Sequence, residues 1–355
     1  CRNSLPFSDR MAQLLSFRHD AAAPSMIQVS SIRLPIDHSQ AALEEAVLRE
    51  LHSPASEVVS LDVTKRSIDA RQHRKEGVYF NYVVRVEVTD EERILGNASD
   101  NAKVQPLPDN KYGFTDTAPV QEETRPVIIG AGPCGLFAAL LLARHGRRPI
   151  LLERGKPVGP RARDVTRFWR GEEGVNPDSN VQFGEGGAGA FSDGKLYTQI
   201  KDRQHRAKWI LEQLALHGAP PDILINGRPH IGTDRLMKVL RNKRKTIEDL
   251  GGEYRFETRV TGLLVENGAI RGLTTSRGEI RCDTAILAVG HSARDTFQML
   301  RNEGIPMEAK PFSIGARIEH PQTLIDHAFY GDQAGHPLLG SSPYKFVHHG
   351  KKPQR

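Results

Sequence analysis

The stretch Arg125–Gly135, RPVIIGAGPCG, restricts the fold more than any other part of the chain. An apolar run ends there in Gly130-x-Gly132-x-x-Gly135 and passes at once into an apolar segment with helical character. The glycine spacing alone is weak, but a strand before it and a helix after it make it a turn suited to a dinucleotide. Gly130 lets the chain turn tightly off the strand. Gly132 leaves room for a pyrophosphate to reach the backbone, and Gly135 lets the helix lie close on the strand. Ala131, Pro133 and Cys134 complete the turn. Pro133 takes the first helical position, where a missing amide hydrogen costs nothing. The free amides and the dipole of the helix then attract phosphates. The next strand, PILLE, ends at Glu153, 18 residues beyond Gly135. A carboxylate there accepts hydrogen bonds from both ribose hydroxyls of an adenosine and repels a 2′-phosphate. The plain alternative, a glycine-rich turn with no ligand, leaves this combination unused.

With 355 residues the chain is long enough for two domains and a sizeable core. Apolar runs such as VIIG (127–130) and AILAVG (285–290) mark a soluble α/β protein. No run of eighteen apolar residues occurs, so no membrane-spanning helix is expected. Residues 1–25 read as a frayed or upstream extension, with Asp9 and Asp20 arguing against an organelle presequence. From Met26 to about residue 95 the pattern is β-α-β-β: a strand at Ile27–Leu34, a helix at Gln40–Leu51, and strands at Val58–Ile68 and Val78–Val88. Residues 96–124, rich in Asn, Asp, Pro and Glu, read as a linker.

The larger domain covers 125–300. Its order is strand (126–130), helix (133–145), strand (149–153), a Gly/Arg-rich stretch (154–200) and two helices near 204–217 and 233–250. A β-meander then covers 254–282, with hairpin signals at Asn267–Gly268 and Arg277–Gly278. The run Thr284–Val289 is continuous enough in apolar character to return to a parallel sheet. Residues 301–355 open a partner domain that faces the substrate.

Net charge is +6, spread along the chain. The densest basic cluster, Arg241–Lys245, reads as a solvated helix surface; no aromatic residues interleave with it, so nucleic acid is not an expected partner. The three cysteines, Cys1, Cys134 and Cys282, form no CxxC pair, which points to a reducing, cytoplasmic setting and away from disulfide reductases. No metal-ligand spacing occurs, the pair His348–His349 included.

Glu153 is followed by Arg154–Gly155, a sequence common where FAD is held in preference to NAD. The segment TAILAVGHSA (284–293) resembles one in two-dinucleotide-binding-domain flavoproteins. That resemblance implies that Ala288 and Gly290 pass near the adenosine and pyrophosphate, and that the backbone of Val260 touches adenine. FAD is therefore the expected cofactor. A second literal match, GEGGAG at Gly184–Gly189, lacks the following helix and acidic strand end. It reads either as a flexible loop or as a glycine nest, in which Gly186, Gly187 and Ala188 approach the flavin or its phosphates. Ser192, Asp193 and Lys195 are then the nearest polar side chains, and a cation there would stabilise reduced flavin.

Together IIGAGPCGLFAALLLA, LLERG, RARDVTRFW, NVQFGEGGAGAFSDGKLYT and KPFSIGARIEHPQ resemble the uncharacterised FAD-dependent dehydrogenase family, also called NAD(FAD)-utilizing dehydrogenases. The resemblance runs from Met26 to the end and implies an N-terminal α/β appendage, a Rossmann-like FAD domain and a partner domain. It implies FAD contacts at Gly130, Gly132, Gly135, Glu153, Arg154 and the 184–195 loop. It also implies that the last flavin-contacting segment and the final helix of the FAD domain lie beyond these 355 residues.

The function expected is a flavin-based oxidoreductase acting on an unidentified small molecule, with NADH or NADPH a candidate electron donor. A non-redox or RNA-modification-linked FAD protein, and an NAD-only dehydrogenase, are the alternatives. No catalytic residue is named. Arg161 and Arg163 are candidate phosphate partners, with Asp164 and Asp178 their local alternatives. His291, and Arg317, Glu319 and His320 on one strand, are weaker candidates for contact with flavin or substrate.

Overall fold

The computed structural model describes residues 25–71, 76–109, 112–114, 124–192, 194–196, 198, 200–312, 314–316, 318–342 and 344. They fall into two units. One contains the described residues of 110–224 and 228–310, the other those of 16–109, 225–227 and 311–355.

The second unit opens with strand β1 (Met26–Pro35), helix α1 (Gln40–Leu51), strand β2 (Val58–Asp69) and strand β3 (Tyr79–Val88). Ser39 caps α1 by accepting from the Ala42 amide at 3.2 Å, and the left-handed His52 closes it. Leu43, Ala46, Val47 and Leu51 form its buried stripe. Strand β3 alternates strictly between buried and part-exposed residues, as one covered face requires. Two short elements extend into the stretch expected as linker. These are α2 (Glu91–Asn97), capped by Asp90, and β4 (Val104–Pro106), which pairs with β1 and makes an antiparallel sheet of order β2-β3-β1-β4.

The core of this unit also takes in Tyr330, from α8 (Gln322–Tyr330), and Leu339. Described residues past 311 thus share a core with the β-α-β-β module, where the sequence suggests the start of a partner domain. At the outer edge of β2, Arg66 bridges to Asn226: its amide donates to Ile225 O at 2.6 Å, and Gly227 donates back to Arg66 O at 2.8 Å.

The first unit is built on a parallel sheet of β5 (Val127–Ile129), β6 (Ile150–Leu152), β7 (Glu253–Arg255) and β11 (Ala285–Leu287). Their spatial order is β7-β6-β5-β11. The chain leaves β5 through α3 (Pro133–Arg144) and returns beside it as β6, in the Rossmann manner. Strand β7 joins this sheet, pairing Leu151 with Tyr254, although its sequence read as the start of the meander. Three residues are too few to show a period, and pairing decided the matter.

The meander is the antiparallel sheet of β8 (Val260–Glu266), β9 (Ala269–Thr275) and β10 (Gly278–Arg281). Helices α4 (Val158–Trp169), α5 (Arg206–Leu216), α6 (Thr233–Asp249) and α7 (Arg294–Asn302) complete the unit. Of these, α4 lies inside the stretch the sequence left without structure. One face of the parallel sheet packs Ile128 and Leu151 against Leu136 and Leu140 of α3 and Leu240 and Ile247 of α6. The other packs Val127, Ile129, Ile150 and Leu152 against Val260, Leu273 and Ile280 of the meander. Both faces being covered, the central strands β5 and β6 read as uninterrupted apolar runs.

The basic cluster on α6 departs from the solvated surface expected of it. Arg241 and Lys245 are exposed, but Lys243 is buried, its ammonium 3.2 Å from the centre of the Phe137 ring. Burial, and secondarily the charge of Arg144, lower its pKa from the ordinary 10.5 to about 7. Burial likewise lowers that of His217 to about 4.

Candidate functional site

The first glycine turn sits where β5 and β11 point their carboxyl ends, the switch point of an open α/β sheet. Gly130 holds φ +107°, a region that disfavours side chains, and a Cβ there would stand 2.5 Å from Ala288 O. A Cβ on Gly135 would meet Gly130 O at 1.9 Å. These two positions admit only glycine. At Gly132, by contrast, a Cβ would find its nearest neighbour, Gly187 Cα, at 4.0 Å. The middle glycine is therefore in ordinary contact with the second turn and not jammed, and it stands at the N-terminus of α3, whose first amides have no intrahelical acceptor. Cys134 and Pro133 are exposed there and Ala131 is buried.

Glu153, at the end of β6, is 5% exposed. Its Oε2 accepts from the Ala131 amide at 2.8 Å, and its Oε1 from the amides of Gly155 at 2.8 Å and Gly184 at 3.0 Å. One carboxylate thus clasps the first glycine turn, its own strand end and the second glycine turn. A carboxylate offers about four acceptor positions, so about one is left for a ribose hydroxyl where the sequence suggested two.

The second turn packs directly against the first. Gly186 donates to Ala131 O at 2.8 Å, and a Cβ on Gly187 would come 3.1 Å from Gly132 Cα. The amides of Gly184, Glu185, Gly186 and Gly187 all donate within the protein, to Glu153, Lys156 O, Ala131 O and Gly184 O. A nest of donors for phosphate therefore does not form over 184–187. The chain goes instead into a 3₁₀ turn at Gly187–Phe191, with Ala188 exposed. Ser192 is spent locally, bonding Gly189 O at 2.9 Å and accepting from Gly194, while the exposed Lys195 bridges to His230. Asp193 and Arg317 lie outside the described residues.

Behind the second turn is a set of buried charges that the sequence did not announce. Arg161 of α4 is fully buried and donates to Asn180 O (2.9 Å), Gly184 O (3.2 Å) and Glu185 O (2.7 Å). Its guanidinium serves the loop, where the sequence suggested phosphate. Burial lowers its pKa to about 10, against the pull of Glu153 and Glu185. Glu185 is also fully buried; its Oε2 accepts from the Val158 amide at 2.8 Å and from Arg244 at 3.1 Å. Burial nevertheless raises its pKa.

The other candidates are dispersed. Arg154 pairs with Asp178 at 2.7 Å and Asp295 at 2.9 Å. Burial opposes its charge, the two ion pairs outweigh this, and the net pKa is raised. Arg163 is exposed, and Asp164 pairs with Lys156 at 2.9 Å. The Val260 side chain lies in the core while its backbone pairs with Thr275. Ala288 bonds Ile129 O at 2.8 Å, and Gly290 and His291 are exposed beyond it. In the other unit, Glu319 is exposed and His320 bonds the Tyr344 hydroxyl at 2.7 Å. A separate cleft of about 400 Å³, lined by Tyr254–Thr258, Thr275, Arg277, Glu279 and Ile280, contains none of the glycine-turn residues. Among the described residues no cluster of side chains could hold a metal ion, and no helix is long and apolar enough to cross a membrane.

Residues 128–192 match the family of NAD(P)-binding Rossmann-like domains, and residues 311–355 match the C-terminal domain-like family of FAD-dependent proteins. Residues 26–87 match a domain of unknown function, DUF8436. The chain is 39% identical over 333 residues to an uncharacterized protein of Clostridium beijerinckii, covering 93% of this chain and 61% of that protein. It is 27% identical over 231 residues to protein FixC of Escherichia coli, covering 61% of this chain and 49% of FixC. Solved structures with partial likeness include THI4 of Thermovibrio ammonificans (18% identity, 52% of this chain and 64% of that one, TM-score 0.34). L-proline dehydrogenase of P. horikoshii is another (16% identity, 52% and 57%, TM-score 0.29). In coarse terms the chain is an FAD/NAD(P)-binding Rossmann-like protein.

Proposed function

We propose that this chain is the FAD-holding part of a flavin-dependent oxidoreductase acting on a small molecule. One observation carries the reading: a glycine-rich turn opens onto a helix N-terminus within reach of a buried carboxylate, at the switch point of a parallel sheet. The donor set fits a dinucleotide. Cys134 and Gly135 would offer backbone amides to two linked phosphates, Gly132 adds no side chain to the approach, and Glu153 retains acceptor capacity for an adenosine hydroxyl.

FAD bound there would supply hydride chemistry, which the protein has to position and tune. Gly187 and Ala188 would wall the pyrophosphate on the side away from α3. Ser192 and Lys195 would lie toward the flavin, the lysine placing positive charge near a ring that becomes anionic on reduction. The charge of Glu153 would exclude a 2′-phosphate, so NADPH would not occupy this site.

The test is titration of the purified protein with FAD, followed by anaerobic mixing with NADH and with NADPH. Saturable flavin binding, and bleaching of the flavin absorption by one donor, are expected. A protein that never takes up FAD refutes the reading; one that binds FAD but is inert to every donor tried is left as a non-redox flavin binder.

A further inference from the structure

We infer that Arg161 is a positioning residue for the nucleotide: from beneath the second glycine turn it holds that turn against Gly132, so that the binding cradle is set before any ligand arrives. This rests on the reading of the first turn as a nucleotide site.

The geometry is specific. Arg161 comes from α4, and its hydrogen bonds among the described residues all go to backbone carbonyls, those of Asn180, Gly184 and Glu185. No carboxylate lies within ion-pair distance of it among the described residues, and its Nη2 has no hydrogen-bond partner there. A guanidinium is a rigid fork, so three acceptors around it fix the orientation of three peptide groups at once. A carbonyl and the amide of the following residue share one peptide plane, so Glu185 O turned toward Arg161 carries the Gly186 amide outward, and that amide donates to Ala131 O of the first turn at 2.8 Å.

The loop is shaped around this side chain. A Cβ on Gly184, at φ +117°, would stand 2.3 Å from Arg161 Cδ, and the Phe191 ring closes the far side at 4.8 Å from the guanidinium carbon. Glu185 anchors the same loop independently, through the Val158 amide and Arg244. Arg161 therefore adds orientation to a loop that is already attached. Such an effect should weaken binding, because a loop that must be ordered by its ligand costs affinity.

The test compares the full chain with Arg161→Met, close in volume, and Arg161→Lys, which keeps a charge but not the fork. Hydrogen exchange is read on the ligand-free proteins, and FAD affinity by titration of flavin fluorescence. In Arg161→Met, exchange at 180–187 should accelerate while 127–144 keeps its protection, and the FAD dissociation constant should rise about ten-fold or more, the scale of one charge-assisted hydrogen bond. Arg161→Lys should recover part of both changes.

Unchanged FAD affinity in a folded Arg161→Met overturns the inference, whatever the loop does. Should Arg161→Met not fold, Arg161→Lys decides: weakened affinity with a native 127–144 segment supports the role, and wild-type affinity overturns it. Loss of the whole fold in both variants makes Arg161 an ordinary core residue and also overturns it. Failure of the wild-type protein to bind FAD would instead remove the nucleotide reading itself.

Discussion

The two glycine-rich turns share one spacing and invert its use. In the first, Gly130-x-Gly132-x-x-Gly135, the outer glycines are jammed against backbone, and the middle one, at a helix N-terminus, would have only an ordinary contact at 4.0 Å. In the second, Gly184-x-Gly186-x-x-Gly189, the middle glycine is jammed, with a Cβ on it 2.5 Å from Leu240 of α6, and the last is open, its nearest neighbour at 3.9 Å. The first turn leaves helix amides without intrahelical acceptors. The second spends its amides inside and is fixed from behind by Arg161 and Glu185. A motif written as glycine spacing cannot distinguish them, whereas the environment of the middle glycine can. An opening there leaves room for a ligand, and a side chain there leaves a structural wall.

The sharpest way to break this comparison is at the third glycine of each turn. Gly135→Ala forces a Cβ onto a carbonyl 1.9 Å away and is expected to cost about 3 kcal/mol, the upper range for overpacking, with loss of FAD binding. Gly189→Ala, at the matching position, should change stability by less than about 1 kcal/mol. Denaturant midpoints and FAD titration measure both; equal effects would show that the turns are used alike.

Removing the clasp between the turns should have the next largest effect. Glu153→Ala leaves the amides of Ala131, Gly155 and Gly184 without their acceptor. We expect a loss of about 2 kcal/mol, within the range for stranding buried donors, together with much weaker FAD binding. Full FAD affinity in this variant would mean that the turns hold together without it.

The smallest effect concerns α6, which backs both turns: Leu240 abuts Gly186, Arg244 pairs with Glu185, and Lys243 lies on Phe137 of α3. Lys243→Met should keep the packing, remove a buried charge and stabilise the protein by about 1 to 2 kcal/mol at pH 7. With the lysine pKa at about 7 when folded and 10.5 when unfolded, the unfolded chain binds more protons between those values. Wild-type stability relative to Lys243→Met should therefore rise from pH 7 toward 10.5 and stay flat below 7. Parallel stability curves for the two proteins would show that Lys243 is not buried as a base.

Much of this was legible in the residues. The β5–turn–α3–β6 unit follows from a continuous apolar run, three glycines and an acidic strand end, all local signals. The helix at Gln40–Leu51 and the hairpin at Asn267–Gly268 are equally local, with a capping serine and positive φ values of 52° and 75°. Illegible were the residues whose role depends on what arrives from elsewhere. Arg161 reads as a candidate phosphate partner and Lys243 as part of a solvated helix surface, since periodicity cannot say which basic residue of a helix will be covered. Glu153 was placed correctly at its strand end, but its three amide partners come from three separate segments.

By itself, then, the sequence determined the first glycine turn, the strand and helix that flank it, and the position of Glu153, because these depend on backbone freedom and short-range pattern. Only the tertiary structure decided that β7 joins the parallel sheet, that Tyr330 and Leu339 share a core with the N-terminal module, and that the second glycine turn packs against the first. Each of these depends on long-range packing and on the cost of burying unpaired polar groups, and neither quantity is carried by a stretch of chain taken alone.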